Sequence, residues 1–245
     1  MSFKPTKNIW FNGELVPWED AKVHVLSYAL HYGSAVFEGI RAYKTQDGTK
    51  IFRLKEHTKR LLNSAKIYRM KVPFNLEEIM NACKLTVTSN DLNNGAYIRP
   101  IVFRGYGDLG LHASLDEEVE TVIAAWEWGP YYDINKGIRL NISKWKRPAP
   151  DTIPWDTKAS GLYMICTLSK HEAEREGFTD SMMLDYQGNI AEATGANVFF
   201  KNKSGELHTP IPDSFLNGIT RRCVIDIAKS KGIKIVERKI KPEEM

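Results

Sequence analysis

The chain has 245 residues, 42% hydrophobic and 26% charged, with a formal net charge of +4, enough apolar material for one large domain or two smaller ones. Its basic residues are scattered rather than striped, which argues against a nucleic-acid-binding face, and no apolar run approaches the ~18 residues of a membrane helix. Cys83, Cys166 and Cys223 form no CxxC pair and "MSFKPTKNIWFNGE" lacks the apolar core of a signal peptide, so a reducing, cytoplasmic setting is expected.

In chain order, "IWFNGELVPW" predicts a hairpin broken at Asn12-Gly13. "AVFEGIRAYKTQDGTKIFRL" reads as two strands around Asp47-Gly48. Two helices follow. Over Glu56 to Tyr68, Leu61, Leu62, Ala65 and Tyr68 share a face; over Leu76 to Ser89, Ile79, Cys83 and Val87 do so, with Asn75 as cap and Glu77 and Glu78 in the first turn. "AYIRPIVF" and "VETVIAAWEW" are two further strands. The turn-rich "GPYYDINKG" predicts a link over residues 129–137 between a smaller N-terminal domain, 1–128, and a larger domain, 138–245. In the second, strand "IRLNISKW" precedes a helix from about Ser160 to Glu176, the short strands "SMMLDY", "NVFFKN" and "ELHTP", a helix over Ile219 to Ser230, and strand "IKIVERKI".

Two motifs are set aside. "GYGDLG", Gly105 to Gly110, matches G-x-G-x-x-G, but the acidic "LHASLDEEVE" after it offers no apolar helical face to receive a pyrophosphate. "HEAER" places Arg175 where a zinc site needs a second histidine, and no other histidines have ligand spacing, so no metal is expected.

A third group of motifs fits an aldehyde cofactor such as pyridoxal phosphate. Such a cofactor needs a lysine amine, a carboxylate against its pyridine nitrogen, and a phosphate cradle of helix-terminal amides with a cation. "TKASGLY" supplies Lys158, "NIAEATGANVFF" supplies Glu192, and "FLNGITRR" places Gly218 at the start of a helix. Each stretch alone is ordinary: a surface lysine, a solvated glutamate, a capped helix. Together, in this order, they resemble the class IV (fold-type IV) pyridoxal-phosphate aminotransferases. "HYGSAVFEGIRAY" and "AYIRP" are most similar to the branched-chain amino acid aminotransferases; D-amino acid aminotransferases and aminodeoxychorismate lyases tend to carry a Gly-Asp-Gly version of the first.

The resemblance implies a mixed α+β and α/β fold of two domains, like that of D-amino acid aminotransferase, and a homodimer or higher homo-oligomer with shared active sites. It implies that Lys158 is the catalytic residue, holding pyridoxal 5'-phosphate as a Schiff base and shuttling the Cα proton. Tyr163 would hydrogen-bond the cofactor's phenolic oxygen, Glu192 would face the pyridine nitrogen, and Gly195 would belong to the adjacent turn. Leu216, Gly218, Ile219 and Thr220 would form the phosphate cradle, with Arg60 as its cation. Phe37, Trp128, Tyr131 and Tyr32 would line the side-chain pocket, Tyr97 would bind the α-carboxylate, and Arg99 the distal carboxylate of glutamate. Tyr32 and the loop around Leu111 would come from the neighbouring subunit.

The expected reaction exchanges an amino group between L-leucine, L-isoleucine or L-valine and 2-oxoglutarate. The alternatives are a D-amino acid or (R)-amine aminotransferase on the same fold, and a cofactor-binding protein without turnover. The latter arises because the chain stops at "KPEEM", where the family continues for several tens of residues, so that the second domain is expected to be incomplete.

Overall fold

The computed structural model describes residues 4–111, 118–130, 132–133 and 135–245. It divides into two units, Met1–Pro130 with Thr157–Gly161, and Tyr131–Asp156 with Leu162–Met245. Among the described residues no helix is long and apolar enough to cross a membrane.

The first unit is built on a seven-stranded antiparallel sheet. β1 (Asn8–Phe11) and β2 (Glu14–Pro17) form the expected hairpin, with Asn12 and Gly13 at φ of 48° and 108°, the positive pair that a two-residue turn needs. A short helix, α1 (Tyr28–Tyr32), absent from the sequence reading, ends on left-handed Gly33.

"AVFEGIRAY" was expected to run as one strand, and it is two: β3 (Ala35–Phe37) and β4 (Ile40–Thr45), broken at Glu38-Gly39. Both pair with β6 (Gly95–Arg104), β3 with Ile101–Phe103 and β4 with Gly95–Ile98. Between them the Glu38 N–H donates to the Pro100 carbonyl at 2.9 Å, and Pro100 has no N–H to return. The ladder therefore lapses there, which frees Glu38 to turn inward.

β5 (Gly48–Ile51) completes the hairpin with β4, and β7 (Val119–Trp126) pairs with β6 and β1. α2 (Leu54–Ile67) starts two residues before its expected position, and α3 (Leu76–Ser89) matches its own. Asn75 caps α3 in a full capping box: its Oδ1 accepts the N–H of Glu77 and Glu78, and Glu78 accepts the N–H of Asn75. α3 packs on β1 and β7, and α2 on β3 and β6. Val36, Ile40, Leu61, Ile79, Ile98, Val102 and Ile123 are fully buried between these helices and the sheet.

The second unit repeats a strand–helix–strand crossover. β8 (Leu140–Lys146) and β9 (Asp180–Leu184) are parallel, joined through α4 (Met164–Arg175), and β10 (Ile190–Ala193) adds antiparallel to β9. β12 (Leu207–Pro210) and β13 (Ile235–Arg238) are parallel, joined through α5 (Ile219–Ser230), with β11 (Phe200–Lys201) antiparallel on β12. A parallel pair needs such a crossover. The helix expected from Ser160 begins as a 3-10 turn, Ser160–Tyr163, before α4. The strand expected at "NVFFKN" shrinks to Phe200–Lys201, and β10, read only as a motif, takes its place beside β9. The mixed α+β and α/β architecture is thus an antiparallel sheet with helices in one unit and two crossovers in the other.

Candidate active site

In the first unit, α2 presents His57, Arg60 and Ser64 at helical spacing. Arg60 donates to both oxygens of Glu38, from Nε at 2.6 Å and Nη2 at 2.8 Å, and His57 Nδ1 lies 2.7 Å from Glu38 Oε2. The Glu38 side chain is fully buried. Burial alone would raise its pKa; the hydrogen bonds from Arg60 and His57 and the charges behind them outweigh that and hold it at about 2. Glu38 therefore remains a carboxylate at any physiological pH and fixes the plane of the Arg60 guanidinium.

Lys158 belongs to this same unit. Its N–H donates to Ser64 Oγ at 3.1 Å, and its carbonyl accepts the N–H of Phe37 at 3.0 Å. Ala159 forms an isolated bridge with Val36. The ammonium lies 4.9 Å from the centroid of the Phe37 ring. Arg99 lies 4.7 Å from that ring and 5.3 Å from the ring of Tyr97, and its Nη2 donates to the Tyr97 hydroxyl at 2.7 Å. The Arg99 Nε is buried with no hydrogen-bond partner among the described residues, an N–H suited to an added acceptor.

Tyr97 also packs against Trp128 (4.8 Å) and Trp126 (5.1 Å). A Cβ on Gly39 would lie 2.3 Å from the Tyr97 hydroxyl, so Gly39 is what allows that hydroxyl its place. Phe37, Tyr97, Arg99, Trp128 and Lys158 thus form one connected group, while Arg60 is reached through Glu38, the residue next to Phe37. Tyr32 is exposed and packs against Tyr28 with tilted rings 4.6 Å apart, and Leu111 is 87% exposed. Tyr131 lies outside the described residues.

In the second unit, Glu192 stands at a register shift between β10 and β9, and a bulge of this kind re-aims a side chain. Its carboxylate is bracketed. Arg147 Nε is 3.5 Å from Oε1, and the Asn197 side-chain amide is 3.4 Å from Oε2. Arg147 is itself buried and donates from Nη1 to the Leu162 carbonyl at 3.2 Å. The same Asn197 amide reaches the Leu216 carbonyl at 3.5 Å, linking Glu192 to the approach of α5.

α5 begins at Gly218 with no side-chain cap, so the first amides, at Ile219 and Thr220, are left to an outside acceptor. A Cβ on Gly218 would fall 1.8 Å from Asn197 Oδ1, so glycine is required there by contact, its φ of −58° being ordinary. Arg221 fastens this helix start: fully buried, it donates to the Pro210 carbonyl at 3.0 Å, Glu237 at 2.6 Å and Asn217 at 3.1 Å. Tyr163 is half-buried at the start of α4, and Gly195 is exposed in the turn closed by the Ala193 N–H to the Ala196 carbonyl. Among the described residues no group of three His, Cys, Asp or Glu could hold a metal ion.

The sequence reading passed over Glu38, Ser64, Trp126, Arg147 and Arg221. Glu38 alone left a signal, a charge inside the apolar run "AVFEGI" that demands a buried partner.

The amino-transferase class IV family model matches residues 35–245. A branched-chain-amino-acid aminotransferase of Escherichia coli is 44% identical over 249 residues, covering 100% of this chain and 80% of that protein. The crystal structure of an Escherichia coli branched-chain amino acid aminotransferase superposes with a TM-score of 0.94 at 44% identity, over 98% of this chain and 79% of that one. A branched-chain amino acid aminotransferase from Thermobaculum terrenum in its PLP form has a TM-score of 0.88 at 32% identity, over 98% and 79% of the two chains. The chain belongs to the class IV aminotransferases, among the branched-chain amino acid aminotransferases.

Proposed function

We propose that the protein transfers the amino group of L-leucine, L-isoleucine or L-valine to 2-oxoglutarate, and the reverse, with pyridoxal 5'-phosphate as cofactor. The observation that carries the reading is the connected group of Lys158, Phe37, Tyr97, Arg99 and Trp128, in which an amine and an arginine with an unused N–H share one aromatic wall. The donor set suits the cofactor: an amine at Lys158, a carboxyl group at Glu192 beside Arg147, and an uncapped helix start at Gly218. Lys158, Tyr163, Glu192, Gly195, Leu216, Ile219 and Thr220 would hold it, with Arg60 toward the phosphate. When bound, the cofactor supplies an electron sink that makes the Cα proton of an amino acid removable.

The side chains then have separate tasks. Lys158 would move a proton between the substrate Cα and C4′ of the bound cofactor, in one direction for the amino donor and in the other for the oxo-acid acceptor. Tyr97 orients the α-carboxylate, and Arg99 offers its Nε to the distal carboxylate of glutamate. Phe37 and Trp128 exclude water and accept a branched apolar side chain, so one pocket serves both substrates. Residues 1–128 and 138–245 would act as the two domains, linked by 129–137, with the segment Thr157–Gly161 belonging to the first unit. The working form is a cytoplasmic homodimer or higher homo-oligomer, in which Tyr32 and the loop around Leu111 come from the neighbouring subunit and Tyr131 lines the same pocket; the exposure of Leu30, Val25 and Leu111 supports a partner surface on the first unit.

Assaying L-leucine and D-alanine separately with 2-oxoglutarate tests the reading. Glutamate formed from L-leucine is the expected result. Conversion of D-alanine alone would assign the D-amino acid reaction, and cofactor binding without any conversion would reduce the protein to a binding role.

A further inference from the structure

Both backbone groups of Lys158 are held by other elements of its unit. β3 takes the carbonyl, through the N–H of Phe37 at 3.0 Å, and α2 takes the N–H, through Ser64 Oγ at 3.1 Å. Ser64 is fully buried and lies four residues, one helical turn, beyond Arg60. The helix that carries Arg60 therefore also sets the peptide from which the Lys158 side chain departs. Arg60 is in turn locked to Glu38, the residue following Phe37. The amine and the guanidinium are indexed to one another through a single rigid helix rather than through a loop.

We propose that Ser64 is a positioning residue for Lys158. Its hydroxyl oxygen fixes the orientation of the Lys158 peptide and so aims the amine along the Phe37 ring. This rests on Lys158 being the amine that holds the cofactor and moves the proton. Removing the hydroxyl takes away the acceptor at 3.1 Å and allows the Lys158 peptide to rotate. A rotated peptide displaces the amine, and proton transfer depends on that placement far more than substrate binding does.

Ser64→Ala is expected to lower kcat by about tenfold to a hundredfold, with KM within about twofold of wild type. The pH midpoint of the cofactor-bound protein's near-visible absorbance is expected to move by about half a unit or more, because the amine's surroundings change. In the cofactor-free protein, hydrogen exchange of the peptide containing residues 157–161 is expected to speed up by about tenfold or more. Ser64→Thr keeps the oxygen and restores all three. Wild-type kcat and wild-type midpoint in Ser64→Ala overturn the proposal. So does a loss of activity matched by a loss of thermal stability with the midpoint unmoved, since that describes a purely structural serine. If Ser64→Ala does not yield folded protein, Ser64→Cys, with a weaker acceptor, must shift the midpoint in the same sense; an unshifted midpoint overturns the proposal. A near-visible band that survives Lys158→Ala would instead remove the Lys158 reading, and is measured in parallel.

Discussion

Replacing Glu38 with glutamine removes one negative charge from a site with no solvent exposure while leaving its shape almost intact. Arg60 and His57 direct three donor or acceptor contacts of 2.6 to 2.8 Å at the two carboxylate oxygens. A glutamine offers one oxygen, and its NH2 group faces the donors of Arg60 or the ring of His57. Breaking one side of a buried charge pair costs about 3–5 kcal/mol. The lowered pKa of Glu38 gives a second figure. Its carboxyl ionises at about 2 in the folded protein against an ordinary 4.5, and a difference of that size corresponds to about 3 kcal/mol. The folded state binds the proton less well than the unfolded chain. The contribution is therefore complete above about pH 4.5 and is lost as the pH falls toward 2.

Thermal denaturation at pH 7 should show Glu38→Gln melting about 6–12 °C below wild type, taking about 3 kcal/mol and 2–4 °C per kcal/mol for a chain of this size. Repeated across acid pH, the gap between the two proteins should narrow from pH 4.5 downward. A variant within about 1 kcal/mol of wild type at pH 7, or a gap that stays constant into acid, would mean that the buried Glu38 charge does not stabilise the fold.

Gly218→Ala places a methyl group 1.8 Å from Asn197 Oδ1 and must drive that side chain off Glu192 and the Leu216 carbonyl. A cofactor titration should show affinity weakened by about tenfold, in line with an overpacking cost of about 1–3 kcal/mol; wild-type affinity would mean that Asn197 does not tie Glu192 to the helix start. Gly39→Ala crowds the Tyr97 hydroxyl at 2.3 Å and is expected to break its bond with Arg99. Steady-state kinetics should show KM for 2-oxoglutarate raised by about tenfold with a smaller change in kcat, and an unchanged KM would take Tyr97 and Arg99 out of substrate binding.

What the sequence reveals divides by distance along the chain. α3 and α5 carry their own start signals, the Asn75 capping box and Gly218, and their limits were readable to the residue. The Asn12-Gly13 hairpin is equally local. The break between β3 and β4 was not, because its cause, Pro100, lies more than sixty residues downstream of Glu38. Ser64 and Lys158 are 94 residues apart, and no local pattern marks a helical serine as the acceptor for a distant peptide. The connected group around Phe37 combines residues singled out through family likeness with Trp126, which looked like any strand tryptophan. Periodicity finds the faces of elements; it does not find which polar groups meet when those faces are stacked.

If Lys158 carries the cofactor and the proton, its loss must remove both the chromophore and turnover. The most direct measurement is the near-visible absorption spectrum of the pyridoxal-phosphate-loaded protein and of Lys158→Ala, each before and after addition of L-leucine. The wild-type protein is expected to show a band that L-leucine bleaches, with glutamate formed once 2-oxoglutarate is added, whereas Lys158→Ala shows neither the band nor turnover. A Lys158→Ala protein that retains both would show that another residue holds the cofactor.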